Sequence, residues 1–139
     1  MDFTTFKIKY AETMMYYQVI EHDVKYIYAY MLKGDVNEHF DDIETITLGQ
    51  MLKMLKKLDW SDNKPLISKD DYSYLSKICE NRNHWAHTIF SQFVYKKDWL
   101  YSREYQKQCD KLNEDRQRVE RAAKILEEIR IDYCTRIRK

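Results

Sequence analysis

Glycine and proline are almost missing from this chain, which has two glycines and one proline among 139 residues. Sandwiches and barrels need many turn residues, so this scarcity argues against them and favours a few long helices. No apolar run approaches the roughly 20 residues of a membrane span, and the N-terminal segment carries charges throughout, unlike a signal peptide. We therefore expect a cytoplasmic protein without a membrane partner.

Cysteine is also scarce: Cys79, Cys109 and Cys134 are scattered and show no Cys-x-x-Cys spacing. This pattern is typical of free thiols in a reducing compartment, and we expect neither a metal nor a cofactor. The formal net charge is +1, so the protein surface as a whole is not basic enough to attract nucleic acid strongly. Any RNA or other anion would have to bind a local patch.

What the chain does contain is helical periodicity, with apolar residues every three or four positions over most of its length. The predicted helices span Thr4 to Leu32, Leu48 to Leu58, the segment after Ser68 to about Tyr95, and Ser102 to Ile137. The polar and acidic stretch 34–45 is predicted to be a loop. Because 139 residues suit one domain with a real core, we expect residues 1–139 to form one all-α, up-and-down bundle of four to five helices.

One hexapeptide, running from Arg82 to His87, interrupts the apolar face of the third predicted helix. The core-facing positions of that helix are Tyr72, Leu75, Ile78, Arg82, Trp85, Ile89 and Phe93. Arg82 therefore occupies a core-facing position. A charge there must be paired, hydrogen-bonded or directed at a shared site, so this hexapeptide is the first place to look for chemistry.

The spacing within the hexapeptide divides its polar residues between two faces. Asn83 and His87 are four residues apart, so they share a face and the amide can hold the imidazole in one tautomer. Arg82 lies about 140° from His87, at about 100° of rotation per residue. A site that uses both would be completed by a second copy of the helix across a twofold axis, or by a local distortion of the helix.

Histidine and arginine suit metal-free phosphoryl transfer. An imidazole can take a proton from a ribose 2′-hydroxyl or give one to the leaving oxygen, and a guanidinium can hold a pentavalent phosphate with two hydrogen bonds. The string ICENRNHWAH contains Arg82-Asn83-x-x-x-His87, which resembles the RNxxxH form of the Rx4–6H motif of HEPN domains. The all-helical layout, with the motif on a late helix, is similar to that family as well.

The resemblance implies a HEPN-like homodimer whose two motifs face each other in a cleft. In active members this cleft is a metal-independent endoribonuclease site that often leaves 2′,3′-cyclic phosphate ends. Carried over to this chain, Arg82 would bind the scissile phosphate, His87 would be the general acid and base, and Asn83 would orient His87 or contact phosphate. Many members are toxins or abortive-infection effectors, some with an antitoxin protein, while others lack activity and serve as dimer or RNA-binding modules.

Each of these residues also has a structural interpretation. Arg82 can bridge helices through carbonyl groups or through Glu80, and His87 can be a core or interface histidine whose ring nitrogens are both hydrogen-bonded. In the functional interpretation, Glu80 is instead an auxiliary residue of the site. His84 is either a second catalytic or RNA-contacting group or a residue that merely lies inside the motif. A zinc site built from Cys79, His84 and His87 is disfavoured, because the spacing is not a ligand pattern and residues 79 and 84 lie on different faces.

A basic cluster follows the motif and is the best candidate for contact with an RNA backbone. Its members are Lys96, Lys97, Arg103 and Lys107. The alternative is ordinary solubilising charge. Three hypotheses for function therefore stand: a HEPN-like dimeric ribonuclease, a non-catalytic HEPN-like dimer that binds RNA or a protein, and a purely structural helical bundle.

Overall fold

The structure, a computed structural model that describes residues 1–138, is an all-α bundle with no strand in that range. The bundle has five α-helices, in agreement with the predicted fold class, at Phe3–Met31 (α1), Val36–Ile43 (α2), Leu48–Asp59 (α3), Lys69–Asn83 (α4) and Arg103–Arg138 (α5). A π-helical turn at His84–Thr88 and two 3-10 turns at Phe90–Gln92 and Trp99–Tyr101 lie between α4 and α5.

The first structural difference from the sequence prediction is α2, which occupies the stretch predicted to be a loop. The Asp35 side chain caps this helix by accepting from the backbone N–H groups of Asn37, at 2.8 Å, and Glu38. Its Phe40 ring packs against His22 and Tyr26 of α1. A helix of eight residues is marginal in isolation, so these contacts with α1 decide its existence, and local composition did not reveal it.

The second difference concerns the third predicted helix, which stops being α-helical at Asn83 instead of continuing to Tyr95. Its beginning agrees with the prediction, because the Ser68 side chain caps the helix by accepting from the Asp71 N–H at 3.1 Å. Its end does not, because the chain passes into the π turn inside the hexapeptide. The prediction of one regular helix over this whole stretch was therefore wrong.

Contacts between helices show the direction of each one. Lys9 of α1 donates to Asn113 of α5 at 2.7 Å, and Asp23 lies 2.9 Å from Arg130, so these two helices run parallel. Helix α4 runs against them, and the Tyr17 hydroxyl of α1 donates to the Ile78 carbonyl at 3.1 Å. This antiparallel packing places the hexapeptide between the N-terminal half of α1 and the first turns of α5.

The junction between α3 and α4 is organised by one buried carboxylate. Asp59 is 4% exposed and accepts from the backbone N–H groups of Leu66, at 2.7 Å, and Ile67, at 3.0 Å. The Tyr72 hydroxyl donates to the same carboxylate at 2.8 Å. Burial, followed by this hydrogen bond, raises the pKa of Tyr72 well above its usual value. The junction is therefore a polar cluster in which each acceptor has a donor.

Candidate functional site at the π turn

The π turn is built around Trp85, whose side chain is wholly buried. The Ile89 N–H donates to the His84 carbonyl at 3.0 Å, five residues back instead of four. The Trp85 carbonyl accepts from the Tyr10 hydroxyl of α1 at 2.7 Å, and its indole N–H donates to the Asp115 carboxylate of α5 at 2.6 Å. Two helices thus hold Trp85, and the chain accommodates one extra residue in the turn around it.

This turn changes the relation between Arg82 and His87. In a regular α-helix they would lie about 140° apart, on different faces. The π turn at His84–Thr88 lowers the rotation per residue between His84 and His87, so His87 lies at a smaller angle from Arg82 than in a regular helix. Local distortion, one of the two routes expected from the sequence for a shared site, is therefore present within the hexapeptide.

Arg82 faces α1 and is half-buried. Its terminal nitrogen lies 3.6 Å from a carboxylate oxygen of Glu21, with the side chain 30% exposed. Its Nε is buried and has no hydrogen-bond partner, so the guanidinium retains an unused donor. The structure thus gives Arg82 a carboxylate partner on α1, whereas Glu80, the partner expected in the structural interpretation, is exposed and makes no ion pair within the described residues.

Cys79 lies close enough to Arg82 for the guanidinium to lower the pKa of its thiol, but burial has the larger effect and raises that pKa to about 12. The thiol is therefore protonated at neutral pH and is a poor nucleophile or metal ligand. No group of three or more His, Cys, Asp or Glu side chains placed to hold a metal ion occurs within the described residues.

His87 and Asn83 are both exposed, and neither side chain makes a hydrogen bond or ion pair within the described residues. The hydrogen bond that we expected between the Asn83 amide and the His87 imidazole is therefore not formed. Both nitrogens of the His87 ring are accessible to a ligand. Exposed and unpartnered, this imidazole can exchange protons with a bound molecule.

His84, by contrast, has a hydrogen-bond partner on each of its two ring nitrogens. Its Nε2 lies 2.9 Å from the Gln108 side-chain oxygen of α5, and its Nδ1 lies 3.0 Å from the Thr88 hydroxyl. The amide oxygen can only accept, so Nε2 carries the proton. This arrangement supports the interpretation of His84 as a residue that fixes the π turn to α5, and it leaves His87 as the histidine available for chemistry.

Asp115 is the residue of this region that sequence reasoning missed. It is 3% exposed and binds the Trp85 indole, with the Asn81 amide 3.5 Å away. The signal was present in the sequence, because Asp115 interrupts the apolar stripe of α5 between Leu112 and Val119 just as Arg82 interrupts that of α4. A polar residue at such a position indicates a buried partner.

The predicted basic cluster lies on the segment after the π turn and on the first turns of α5, and all four of its side chains are exposed. Lys96 forms an ion pair with Glu104 at 2.6 Å, while the other three make no ion pair within the described residues. Lys107 immediately precedes Gln108, the partner of His84. This neighbourhood in the chain places Lys107 of the cluster near the hexapeptide.

The His87 and Asn83 side chains of the site lie open to solvent. A cavity of about 440 Å³ lies at the other end of the bundle, lined by residues that include Met31, Leu58 and Tyr133. It is far along α1 from Tyr10, the residue that binds the π turn. An open site suits a macromolecule better than a small molecule, which binds in a cavity that covers most of its surface.

Comparisons with protein-family models, with curated proteins and with solved structures returned no match. The resemblance to HEPN domains therefore depends on the motif and on the helical architecture. None of the helices in the described part of the chain combines the length and the apolar character needed to span a membrane.

Proposed function

We propose that the protein is a HEPN-like endoribonuclease that acts as a homodimer in the cytoplasm and needs no metal. The observation that carries the proposal is the exposed, unpartnered imidazole of His87 on a π turn that rotates it toward Arg82. π turns are frequent at functional sites. The hydrogen bonds of His84 and Trp85 hold the turn in place.

In the proposed reaction, His87 takes the proton from a ribose 2′-hydroxyl. An electron pair of the 2′-oxygen forms a bond to phosphorus, and the bond between phosphorus and the 5′-oxygen breaks. The leaving 5′-oxygen then receives a proton. The products are a 2′,3′-cyclic phosphate and a 5′-hydroxyl. Arg82, whose side chain is 30% exposed, would stabilise the charge that develops on the phosphate oxygens.

A dimer would supply what one subunit lacks. The transfer needs a base on the attacking side and an acid on the leaving side, whereas one chain presents one unpartnered imidazole in this region. A twofold axis near the π turn would set a second imidazole and a second guanidinium in the same cleft. Lys97, Arg103 and Lys107 would then add positive charge around the bound RNA.

The test is cleavage of end-labelled single-stranded RNA in the presence of EDTA. We expect the parent protein to cut and His87→Ala to be slower by a factor of about 100 or more, the usual contribution of a general acid or base. Arg82→Ala should also lose activity, and Lys53→Ala, a change of an exposed residue on α3, is the control. Loss of cutting on chelation, or equal rates for the parent and His87→Ala, would refute the proposal.

Mixed dimers locate the site within the assembly. If the reaction uses the His87 imidazoles of both subunits, a mixed dimer of the parent and His87→Ala is as inactive as the His87→Ala dimer, because its cleft keeps one imidazole. If each subunit works with its own Arg82 and His87, the mixed dimer retains about half of the parent activity. Sedimentation of the parent protein checks that it dimerises at the concentrations used.

A toxin or abortive-infection effector is the biological role that we propose for such a nuclease, with an antitoxin protein as a further partner. Expression of the parent protein should then arrest growth, and the His87→Ala variant should not. Equal growth of the two strains at equal protein levels would argue against this role without bearing on cleavage in vitro.

The second candidate function is a non-catalytic HEPN-like dimer that binds RNA or a protein. The ion pair between Arg82 and Glu21 favours it, because an arginine held by a carboxylate already has a structural role. This alternative predicts that RNA is bound without any new cyclic phosphate ends. Glu21→Gln separates the two: releasing Arg82 should leave RNA cleavage intact or increase it in a nuclease.

A further inference from the structure

Two tyrosines close to the hexapeptide are almost fully exposed. Tyr95 is 88% exposed and Tyr101 is 90% exposed, more than any other large hydrophobic side chain in the described residues. Both lie in the segment 94–103, here called the tyrosine loop, which connects the turns that follow the hexapeptide to α5. Most of the chain's twelve tyrosines are at least partly covered by other residues, so these two need a separate explanation.

The backbone of the tyrosine loop is held in place although these two rings are free. Trp99, in the middle of the loop, packs against the buried Phe93 and against Phe3, with ring centroids 5.1 Å and 4.9 Å away. The ion pair between Lys96 and Glu104 ties the loop to the first turn of α5. The loop therefore presents Tyr95 and Tyr101 from a defined backbone.

Asp98 shows how strongly the loop conformation is determined. Its φ of 55° lies in the left-handed region, and it is the one non-glycine residue of the described chain with a positive φ. Such a conformation is unfavourable for a residue with a side chain and persists when the surroundings determine it. It precedes Trp99, whose packing supplies that constraint.

Charge distinguishes between the two kinds of macromolecule that exposed tyrosines can bind. The tyrosine loop carries two cations without an ion pair in the described residues, Lys97 and Arg103, beside Lys96, which is paired with Glu104, and one anion, Asp98. The centre of a protein–protein interface is depleted of charge, whereas single-stranded nucleic acid is bound by aromatic rings with cations between them. The alternation of rings and cations in this loop favours the nucleic acid.

We propose that the tyrosine loop is a docking platform for single-stranded RNA, in which bases stack on Tyr95 and Tyr101 and phosphates lie against Lys97 and Arg103. The proposal rests on the proposed function, since it takes RNA as the substrate of the hexapeptide. It adds the substrate class, an unpaired strand, and the residues that hold it. Tyr95 follows His87 by eight residues, so the platform would hold nucleotides that flank the scissile phosphate.

The test is the affinity for a fluorescein-labelled single-stranded RNA 12-mer, measured by anisotropy in EDTA with all variants in the His87→Ala background so that the RNA stays intact. The double variant Tyr95→Ala/Tyr101→Ala should raise the Kd at least about tenfold, because it removes the stacking of two bases on aromatic rings. Replacing both tyrosines by phenylalanine keeps the rings and should leave the Kd within about twofold. Trp60→Ala, which removes an exposed ring beyond the far end of α3, should have no effect.

Salt dependence checks the role of the cations. Lys97→Gln should reduce the slope of log K against log salt by about 0.7, the value for one phosphate contact with a single strand, and a matched change of an exposed lysine on α3, Lys53→Gln, should not. An unchanged slope for Lys97→Gln would remove this lysine from the platform.

The outcomes separate this proposal from the proposed nuclease. If the double alanine variant binds RNA as tightly as its parent, or if it changes self-association in sedimentation and leaves RNA affinity unchanged, the platform is overturned in favour of no role or of a protein interface. A parent that cuts RNA with the same KM after both tyrosines are removed also overturns the platform while the nuclease survives. A protein that binds RNA through the two tyrosines without cutting it supports the platform and overturns the nuclease.

Discussion

Two polar regions of this bundle lie at opposite ends of α4 and differ in how their polar groups are satisfied. At the junction of α3 and α4, the Asp59 carboxylate has three donors within 3.0 Å. At the hexapeptide, the His87 imidazole has no partner and the Arg82 Nε is buried without one. Buried polar groups that serve the fold are normally paired, as those of Asp59 are, whereas the exposed imidazole of His87 is free to meet a ligand.

The largest effect on stability should come from Asp59→Ala. The change leaves the Leu66 and Ile67 N–H groups and the Tyr72 hydroxyl without an acceptor in a buried junction. Each lost hydrogen bond to a charged acceptor costs about 1.5 kcal/mol or more. We expect the free energy of unfolding in urea to fall by about 4.5 kcal/mol or more. Asp62→Ala, a change of an exposed carboxylate in the same loop, is the control, and a similar loss there would show that the buried network is not the cause.

Trp85→Phe should have the next largest effect, because it removes the donor to the buried Asp115 and leaves space where the indole was. We expect a loss of about 2–3 kcal/mol in the free energy of unfolding, from the broken bond and the cavity together. Trp60→Phe, at a 44% exposed tryptophan, should change it by less than about 0.5 kcal/mol. Equal effects at the two tryptophans would contradict the structural role of Trp85.

Alkaline titration is a second test of the junction of α3 and α4, whose polar groups are hydrogen-bonded. The folded state raises the pKa of Tyr72 above its ordinary value of 10.0, so above about pH 10 the unfolded chain releases this proton while the folded protein keeps it. The stabilisation is therefore complete below pH 10 and is lost as the pH rises, by about 1.4 kcal/mol per pH unit. Between pH 10 and 11 the free energy of unfolding of the parent should therefore fall by about 1 kcal/mol more than that of Tyr72→Phe.

The smallest effect on stability should be that of His87→Ala. Because the imidazole is exposed and makes no contact by hydrogen bond or ion pair in the described residues, the free energy of unfolding should change by less than about 0.5 kcal/mol. His84→Ala, which breaks the bonds to Gln108 and Thr88, should cost more, about 1–2 kcal/mol. The reverse order would mean that His87 is a structural residue and would weaken its assignment to chemistry.

Periodicity was a reliable guide to the long helices and a poor one where side chains of other helices decide the backbone. The apolar stripes predicted α1, α3, the start of α4 and α5, because each of these buries a continuous face. The short helix α2 depends on Phe40 packing against α1, a contact between residues distant in sequence. The π turn likewise depends on Tyr10 and Asp115, which lie 75 residues before and 30 residues after Trp85.

Local patterns in the chain were sufficient for the all-helical class, for most helix boundaries and for the position of the anomalous hexapeptide, because helix formation and amphipathicity act over a few neighbouring residues. The tertiary structure decided which of its polar groups are free. Glu21 forms an ion pair with Arg82. His84 is hydrogen-bonded to both Gln108 and Thr88, whereas His87 has no partner in the described residues. Pairing of this kind depends on side chains that only the packed helices bring together.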